Sequence, residues 1–184
     1  MHARTHGRHI VARRNHSRGI TLLELGFALA LVALLAGLAA PGFRASLRSA
    51  AVRSASFDIL AGLHRIRAVS ILQARVGVFC PAKAEATIAE GAGPCLPPTA
   101  GGSSWLAFLE QGAGRLELAG QPLPRGVELR ATRSPLRFWP HAHAASTGTL
   151  TICDTQAIAA PRAIVISQSG RARLAPAPAE ACAP

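Results

Sequence analysis

The chain has 184 residues, a formal net charge of +11 and four cysteines. This length holds one ordinary domain and a short appendage. The charge is uneven: residues 1–19 carry five arginines and no acid, six more arginines lie within residues 44–75, and residues 76–184 have nine basic and seven acidic residues. A uniformly basic nucleic-acid-binding chain is therefore excluded, and the charge needs a local explanation.

An apolar run from Ile20 to Phe43 follows the basic N-terminus, and Glu24 is its one charged residue. The uncharged part, Leu25 to Ala40, makes about 24 Å of helix, whereas the hydrocarbon core of a membrane is about 30 Å thick. A helix counted from Ile20 is long enough to span this thickness, and Glu24 then lies within the membrane. The pattern predicts an inner-membrane helix with its arginine-rich end in the cytoplasm and the rest of the chain outside. The alternative is a secretory signal cleaved near Ala39, and both interpretations place the bulk of the chain in an oxidising compartment.

The position of the Glu24 carboxylate within an apolar helix requires a structural explanation. Thr21 and Glu24 have the spacing of a capping box, in which both side chains satisfy backbone donors at a helix start. An acidic side chain within a membrane span costs about 2.5–3.5 kcal/mol and so usually has a polar partner. A free amine at a newly made N-terminus would be such a partner.

The segment "RGITLLEL" resembles the processing motif of type IV pilins and type II secretion pseudopilins. The resemblance implies cleavage after Gly19 by a prepilin peptidase, N-methylation of Ile20 and assembly into a helical filament. It also implies that Glu24 meets the N-terminal amine of a neighbouring subunit, and that Thr21 and the helix-softening Pro41 belong to the assembly segment. Phe or Met is commoner than Ile at the first mature position, and the leader is long; a start at Val11 would shorten it.

The apolar helix is expected to continue outside the membrane, because residues 43–74 contain no proline and one glycine, Gly62. Pro41 predicts a kink or local melting between Gly37 and Gly42. Residues at helical spacing then follow: Leu60, Leu63, Arg67, Ile71 and Ala74. Their pattern is similar to the helix of the GspH/FimT branch of pilin-like proteins. The arginines of residues 44–75 are interpreted as a solvated face or as lipid-headgroup contacts near Arg44 and Arg48, rather than as a nucleic-acid stripe.

After Arg75, short β-like runs alternate with glycine and proline, which predicts a sheet-rich head of about 110 residues. The predicted strands are Val76–Cys80, Ser104–Glu110, Arg115–Gly120, Gly126–Thr132, Leu136–Pro140, Gly148–Asp154 and Ala163–Ala175. Within the last run, "QSG" predicts a hairpin turn. The tail "LAPAPAEACAP" is expected to be extended, without a regular element. The expected fold class is therefore α+β and pilin-like: a long N-terminal helix followed by a β-rich head.

Four cysteines in an exported domain allow three disulfide connectivities. Pairing Cys80 with Cys95 would close a loop rich in glycine and proline, and pairing Cys153 with Cys182 would hold the tail. This pairing is favoured partly because the cysteine neighbourhoods resemble those of FimT-like minor pilins. A four-cysteine zinc site is the alternative, although no two cysteines have the close spacing of a zinc knuckle.

No catalytic constellation is recognisable, and no cofactor is expected. His141 and His143 are interpreted as exposed loop residues rather than as metal ligands. In "SGRARL", Arg171 and Arg173 would point to one face of a strand and contact successive phosphates. Together with Gly170 they resemble the tail motif of FimT-like minor pilins that bind DNA in natural transformation. A hairpin turn without such a role is the alternative.

The sequence thus predicts a non-enzymatic minor pilin of the GspH/FimT type in a type IV pilus. Its expected partners are other pilins or pseudopilins, the prepilin peptidase, the inner membrane and double-stranded DNA. The expected segments are a leader (1–19), a membrane and assembly helix (20–43), a periplasmic helix extension (44–75) and the head with its tail (76–184). A type II secretion pseudopilin and a secreted disulfide-bonded binding module are the alternatives.

Overall fold

The computed structural model describes residues 21–83, 95–111, 114–141 and 144–183. For residues 111 and 114–118 it describes the backbone only. The chain forms two compact units, Met1–Pro41 and Gly42–Pro184. The elements in chain order are α1 (Leu22–Leu72), β1 (Gly77–Ala82), β2 (Ser104–Gln111), β3 (Gly114–Pro122), β4 (Val127–Ala131), β5 (Leu136–Trp139), β6 (Ala144–Ala145), β7 (Gly148–Asp154), β8 (Arg162–Ile166), β9 (Ala172–Pro176) and a final 3-10 turn (Ala179–Cys182).

The N-terminal part of α1 is long and apolar enough to cross a membrane: an 18-residue window has a mean hydropathy of 2.3 and none of it is buried. The helix is continuous through Pro41. The predicted melting between Gly37 and Gly42 is therefore wrong. A proline removes one hydrogen bond from the helical ladder, and the alanines and leucines around it favour the helix on both sides.

The C-terminal part of α1 buries one face in the head. Residues of this face recur at three- and four-residue spacing, as one face of an α-helix requires: Val52, Ala55, Ser56, Ile59, Gly62, Leu63, Ile66 and Ser70. Of the residues predicted at helical spacing, Leu63 belongs to this face, whereas Ile71 is 39% exposed and Ala74 lies beyond the end of α1. The two buried hydroxyl groups are satisfied within the helix, because Ser56 donates to the Val52 carbonyl (2.6 Å) and Ser70 to the Arg67 carbonyl (2.8 Å).

Two antiparallel sheets form the head, with strand orders β3-β2-β1-β5-β6 and β4-β7-β8-β9. Side chains from both sheets and from α1 make one apolar core, which includes Ile59, Phe79, Leu129 and Ile164. Phe79 stacks on Trp105 with ring centroids 5.2 Å apart. The head is thus built as a helix packed on sheets, which confirms the α+β expectation.

All of the predicted strands are present, with changed ends. β1 extends to Ala82 through Pro81, and the proline is tolerated because β5 pairs only with residues Gly77 to Phe79. The two-residue strand β6 was not predicted. The expectation of a tail without a regular element is wrong: Ala181 and Ala183 donate to the carbonyls of Pro178 and Glu180 and form a 3-10 turn. Cys182, the last residue of this turn, is disulfide-bonded to Cys153 of β7.

Candidate functional site

The predicted processing site begins just before the described residues, because Gly19 and Ile20 lie outside them. At the first described turn, the Thr21 hydroxyl accepts the Glu24 N–H (3.2 Å) and the Thr21 carbonyl accepts the Leu25 N–H (3.0 Å). Thr21 therefore caps α1. Within the described residues, the Glu24 carboxylate makes no hydrogen bond back to the backbone, so the reciprocal half of a capping box is not formed.

Asp154, at the end of β7, is a buried carboxylate of the head that is held by backbone hydrogen bonds and by a cation. Its side chain is fully buried and accepts the N–H groups of Gln156 (3.2 Å), Ile158 (3.0 Å) and Ala159 (3.0 Å). Arg48 of α1 places Nη1 4.0 Å from the carboxylate and donates to the Arg125 carbonyl (2.8 Å). Burial raises the pKa of Asp154, but the three backbone hydrogen bonds and the Arg48 charge outweigh it, and the net pKa is lowered.

The cysteines form two disulfides, Cys80–Cys95 and Cys153–Cys182, and none is free. The predicted pairing is confirmed, and the four-cysteine zinc site is excluded because all four thiols are used. The first bridge ties β1 to the segment after residue 94. The second ties β7 to the final 3-10 turn, which holds the tail against the second sheet.

A cavity of about 890 Å³ lies between that sheet and the tail. Glu128, Arg130, Asp154, Ile158 and Ala183 are among the residues that line it. Arg130 lies 3.6 Å from the Glu128 carboxylate and donates to the Ala183 carbonyl. These charged side chains hold one another and the tail. Nothing in the sequence predicts the cavity beyond the cysteine in the tail.

The hairpin turn between β8 and β9 carries the predicted arginine motif. Gly170 has a φ of +74°, a conformation that favours glycine, and its N–H donates to the Ser167 carbonyl (2.8 Å). Arg173 lies opposite Val165 in the β8–β9 ladder. Arg171 and Arg173 are both exposed and flank the buried Ala172, so they share one face, as predicted. Among the described residues, neither arginine makes an ion pair.

A third arginine, which the sequence analysis did not connect with this motif, lies beside the turn. A Cβ atom on Gly170 would be 3.3 Å from Nε of Arg67 and 3.4 Å from the Ala145 Cβ atom. The Ala145 N–H donates to the Gln168 carbonyl (2.7 Å), which joins β6 to the turn. Arg67, Gly170, Arg171 and Arg173 are called the basic turn below. The contact is far apart in sequence, so only the tertiary fold reveals it.

The structure describes one residue of the predicted histidine pair. His141 is exposed in a turn, and His143 lies outside the described residues. No group of three or more His, Cys, Asp or Glu side chains that could hold a metal occurs among the residues that the structure describes.

Comparison with known proteins gives a family assignment. A model of the family described as "Type II transport protein GspH" matches residues 55–170. Among solved structures, the type IV minor pilin FimU of Pseudomonas aeruginosa is similar at 18% identity and a TM-score of 0.48, over 68% of this chain and 88% of that one. A second crystal form of FimU matches over 67% and 92%, also with 18% identity and a TM-score of 0.48. No curated protein sequence matches significantly. Because the family model covers more than half of the chain, including the buried face of α1 from Ala55 onward and the strands β1 to β8, the chain belongs to the GspH family of pilin-like proteins.

Proposed function

We propose that the chain is a FimT-like minor pilin of a type IV pilus, whose head contacts DNA. In this proposal α1 anchors the protein in the inner membrane, the head lies in the periplasm, and the protein supports pilus assembly without an enzymatic activity. The single observation that carries the DNA contact is the basic turn, in which two exposed arginines without ion pairs among the described residues share one face.

Maturation of the protein would follow the prepilin route. A prepilin peptidase would cut after Gly19, Ile20 would be methylated, and the mature protein would join other pilins. Two observations support this route. The N-terminal part of α1 is long and apolar enough to span a membrane. Thr21 caps the helix through its own hydroxyl, so the Glu24 carboxylate is left to meet the amine of a neighbouring subunit.

DNA would be held through its phosphates. Guanidinium groups form strong charge-assisted hydrogen bonds with phosphate oxygens. The described acids Glu110, Glu128 and Asp154 are already engaged by Arg137, Arg130 and Arg48, respectively. Among the residues that the structure describes, no acidic side chain forms an ion pair with the arginines of the basic turn. Contacts with phosphates are independent of base sequence and weaken as salt concentration rises.

The test is DNA binding by the full chain in neutral detergent micelles, measured with a fluorescent duplex over a range of salt concentrations. We expect Arg171→Ala/Arg173→Ala to weaken binding to all sequences alike and to reduce the salt slope by about 1–2. Arg125→Ala/Arg133→Ala is the matched control, because it removes the same charge from two other exposed sites. Equal affinities of wild type and the Arg171/Arg173 variant at low salt would contradict the proposal.

A type II secretion pseudopilin is the second candidate function, favoured by the description of the matching family. Deletion of the gene separates the two: loss of pili and DNA uptake supports the first, and loss of protein secretion with normal pili supports the second. Intact-mass and N-terminal analysis test the secreted-module alternative as well. A methylated Ile20 supports a filament subunit, whereas a start near Ala40 supports secretion.

A further inference from the structure

Two exposed arginines lie beside Arg48 at the end of the head where α1 enters it; the first core residue of α1 is Val52. Arg44 precedes Arg48 by four residues, so the two side chains are neighbours on the helix surface. The Arg48 guanidinium donates to the Arg125 carbonyl (2.8 Å) in the loop between β3 and β4. Arg44 and Arg125 are called the entry arginines below. Among the residues that the structure describes, neither makes an ion pair.

Arg48 itself has a structural role. Its guanidinium lies 4.0 Å from the buried Asp154 carboxylate and holds the Arg125 carbonyl, so it is engaged within the head. The sequence predicts lipid-headgroup contacts near both Arg44 and Arg48. The structure instead ties Arg48 to the head and brings Arg125, from a distant part of the chain, to the same place. The exposed positive charge at this end therefore comes from the entry arginines.

The entry arginines lie close to the height of phospholipid headgroups when α1 spans the membrane as proposed. The apolar run ends at Phe43, and Arg44 follows it directly. Arg48 lies about 7.5 Å beyond Phe43 along the helix, at about 1.5 Å for each residue. The headgroup layer on each side of a bilayer is about 5–7 Å thick, because the hydrocarbon core measures about 30 Å and the whole bilayer about 40–45 Å. The loop that Arg48 holds is thus at the level of the membrane surface.

Ile158 adds an exposed apolar side chain to the same end of the head. The Thr155 N–H donates to the Gly126 carbonyl (2.9 Å), and the Ile158 N–H donates to the Asp154 carboxylate (3.0 Å). These bonds tie the β7–β8 connection to the loop of Arg125. The Ile158 side chain is 47% exposed. Cations next to exposed apolar side chains are typical of surfaces that bind the interface of an anionic bilayer, and the apolar contact favours a lipid surface over a soluble anion.

Building on the proposed membrane anchor, we propose that the entry arginines bind anionic phospholipid headgroups and dock the head of the unassembled subunit on the membrane. A guanidinium is attracted to a negatively charged bilayer and donates paired hydrogen bonds to a phosphate. The basic turn is a separate surface. Arg67, which lies beside that turn, is about 28 Å beyond Arg48 along the same helix. Lipid and DNA would therefore be bound at different places on the head.

The test uses the full chain in nanodiscs, with a tryptophan reporter on the β7–β8 connection. Gln156 is exposed, so Gln156→Trp places an indole near the proposed lipid contact. Trp139→Phe in the same chain leaves the buried Trp105 as the other indole, and Trp139→Phe alone gives its background emission. The nanodiscs carry a lipid with a nitroxide on its headgroup, which quenches a nearby indole. We expect stronger quenching in phosphatidylglycerol-containing discs than in phosphatidylcholine discs, and a smaller difference at high salt.

Removal of the entry arginines should abolish this difference. Arg44→Ala/Arg125→Ala in the reporter chain should lower the ratio of docked to undocked heads in anionic discs by about 30-fold. Arg44→Lys/Arg125→Lys keeps both charges and should retain most of the quenching. Arg171→Ala/Arg173→Ala is the matched control, because it removes the same charge from the basic turn. It should leave the quenching unchanged.

The outcomes separate this inference from the proposed function. If the chain is recovered in nanodiscs but is quenched equally in both lipids, the docking proposal is overturned while the membrane anchor stands. Equal quenching of the wild-type and Arg44/Arg125 reporter chains, or an equal loss in the Arg171/Arg173 variant, would also overturn it. A chain that does not enter nanodiscs would overturn both proposals. Duplex binding by the Arg44/Arg125 variant should match the wild type, and a loss as large as that of the Arg171/Arg173 variant would contradict two separate surfaces.

Discussion

Asp154 shows how a buried charge can stabilise the head. Removing a carboxylate from water is costly unless hydrogen bonds and an opposite charge replace the water. Three backbone N–H groups of residues 156–159 and the guanidinium of Arg48 do so here. Asp154 therefore shapes the β7–β8 connection and ties the second sheet to α1. The sequence shows an Asp at the end of a strand, but it does not show that Arg48 reaches it.

We expect Asp154→Asn to lower the free energy of unfolding by about 1.5–3 kcal/mol at neutral pH, because a neutral amide is a weaker and partly mismatched acceptor. The pKa of Asp154 in the folded head lies below its ordinary value of 3.8. Its contribution is hence full above that value and is lost as the pH falls through the lower, folded-state pKa. Urea unfolding of the full chain in micelles should show a wild-type advantage that is constant above about pH 5 and shrinks below about pH 4.

The exposed acid Asp58 supplies the matched control for this experiment. Asp58→Asn removes the same charge from a solvated position of α1, where it should change stability by less than about 0.5 kcal/mol. If the difference between wild type and Asp154→Asn is the same at acidic and neutral pH, the assigned role of the carboxylate charge is wrong.

At the scale of elements, the strands were predictable and the helix face was not. The strands are short apolar runs bounded by glycine and proline, so their pattern is local. In α1, alanines and other apolar residues occur on every side of the helix, and the sequence contrast between faces is weak. Packing against the sheets determines that Ile59 and Ile66 are buried and that Ile71 is exposed. β6 has only two residues and exists because β5 and the turn offer it hydrogen bonds.

Gly62 lies at a close contact between α1 and the first sheet. A Cβ atom at this position would lie 2.7 and 2.9 Å from two benzo-ring carbons of Trp105, closer than a real contact allows. We expect Gly62→Ala to cost about 1–3 kcal/mol despite the better helix propensity of alanine, because the indole must shift within a packed core. Thermal unfolding monitored by near-ultraviolet circular dichroism measures this effect.

A double-mutant cycle identifies the cause of that loss. Trp105→Phe removes the ring atoms that the new methyl group would meet, so Gly62→Ala should cost less in the Trp105→Phe background than in the wild type. Additive effects of the two substitutions would show that the destabilisation has another origin. Gly42→Ala, on the same helix with nothing within 4 Å of the added atom, should be neutral or stabilising.

At the scale of the whole molecule, the predictable features are those whose residues are neighbours in sequence. The processing motif, the apolar helix and the Gly-Arg-x-Arg segment are of this kind. The contacts of Arg67 with Gly170 and of Arg48 with Asp154 join distant segments, and a single sequence contains no signal for them. Removal of residues 1–19, as proposed, would take away five positive charges and leave +6 of the total +11. The arginines of the basic turn would then contribute a larger share of the positive charge of the mature protein.

Glu24 is the residue on which the proposed filament assembly depends. In the proposed filament its carboxylate meets the N-terminal amine of a neighbour, and the described residues offer it no alternative hydrogen bond. Glu24→Ala and Glu24→Gln should both be cut by the prepilin peptidase but be depleted from filaments, because each lacks the charge. Thr21→Ala loses only the cap, worth about 1 kcal/mol, and should still assemble.

The measurement compares sheared filaments with the membrane fraction by immunoblot, and intact mass reports whether the leader has been removed. An unprocessed Glu24→Ala protein would move the role of Glu24 from docking to recognition by the peptidase. Normal processing together with wild-type incorporation would show that the carboxylate is not a docking group at all. Loss of incorporation in Thr21→Ala equal to that in Glu24→Ala would instead point to the helix start as a whole, since Thr21 carries no charge.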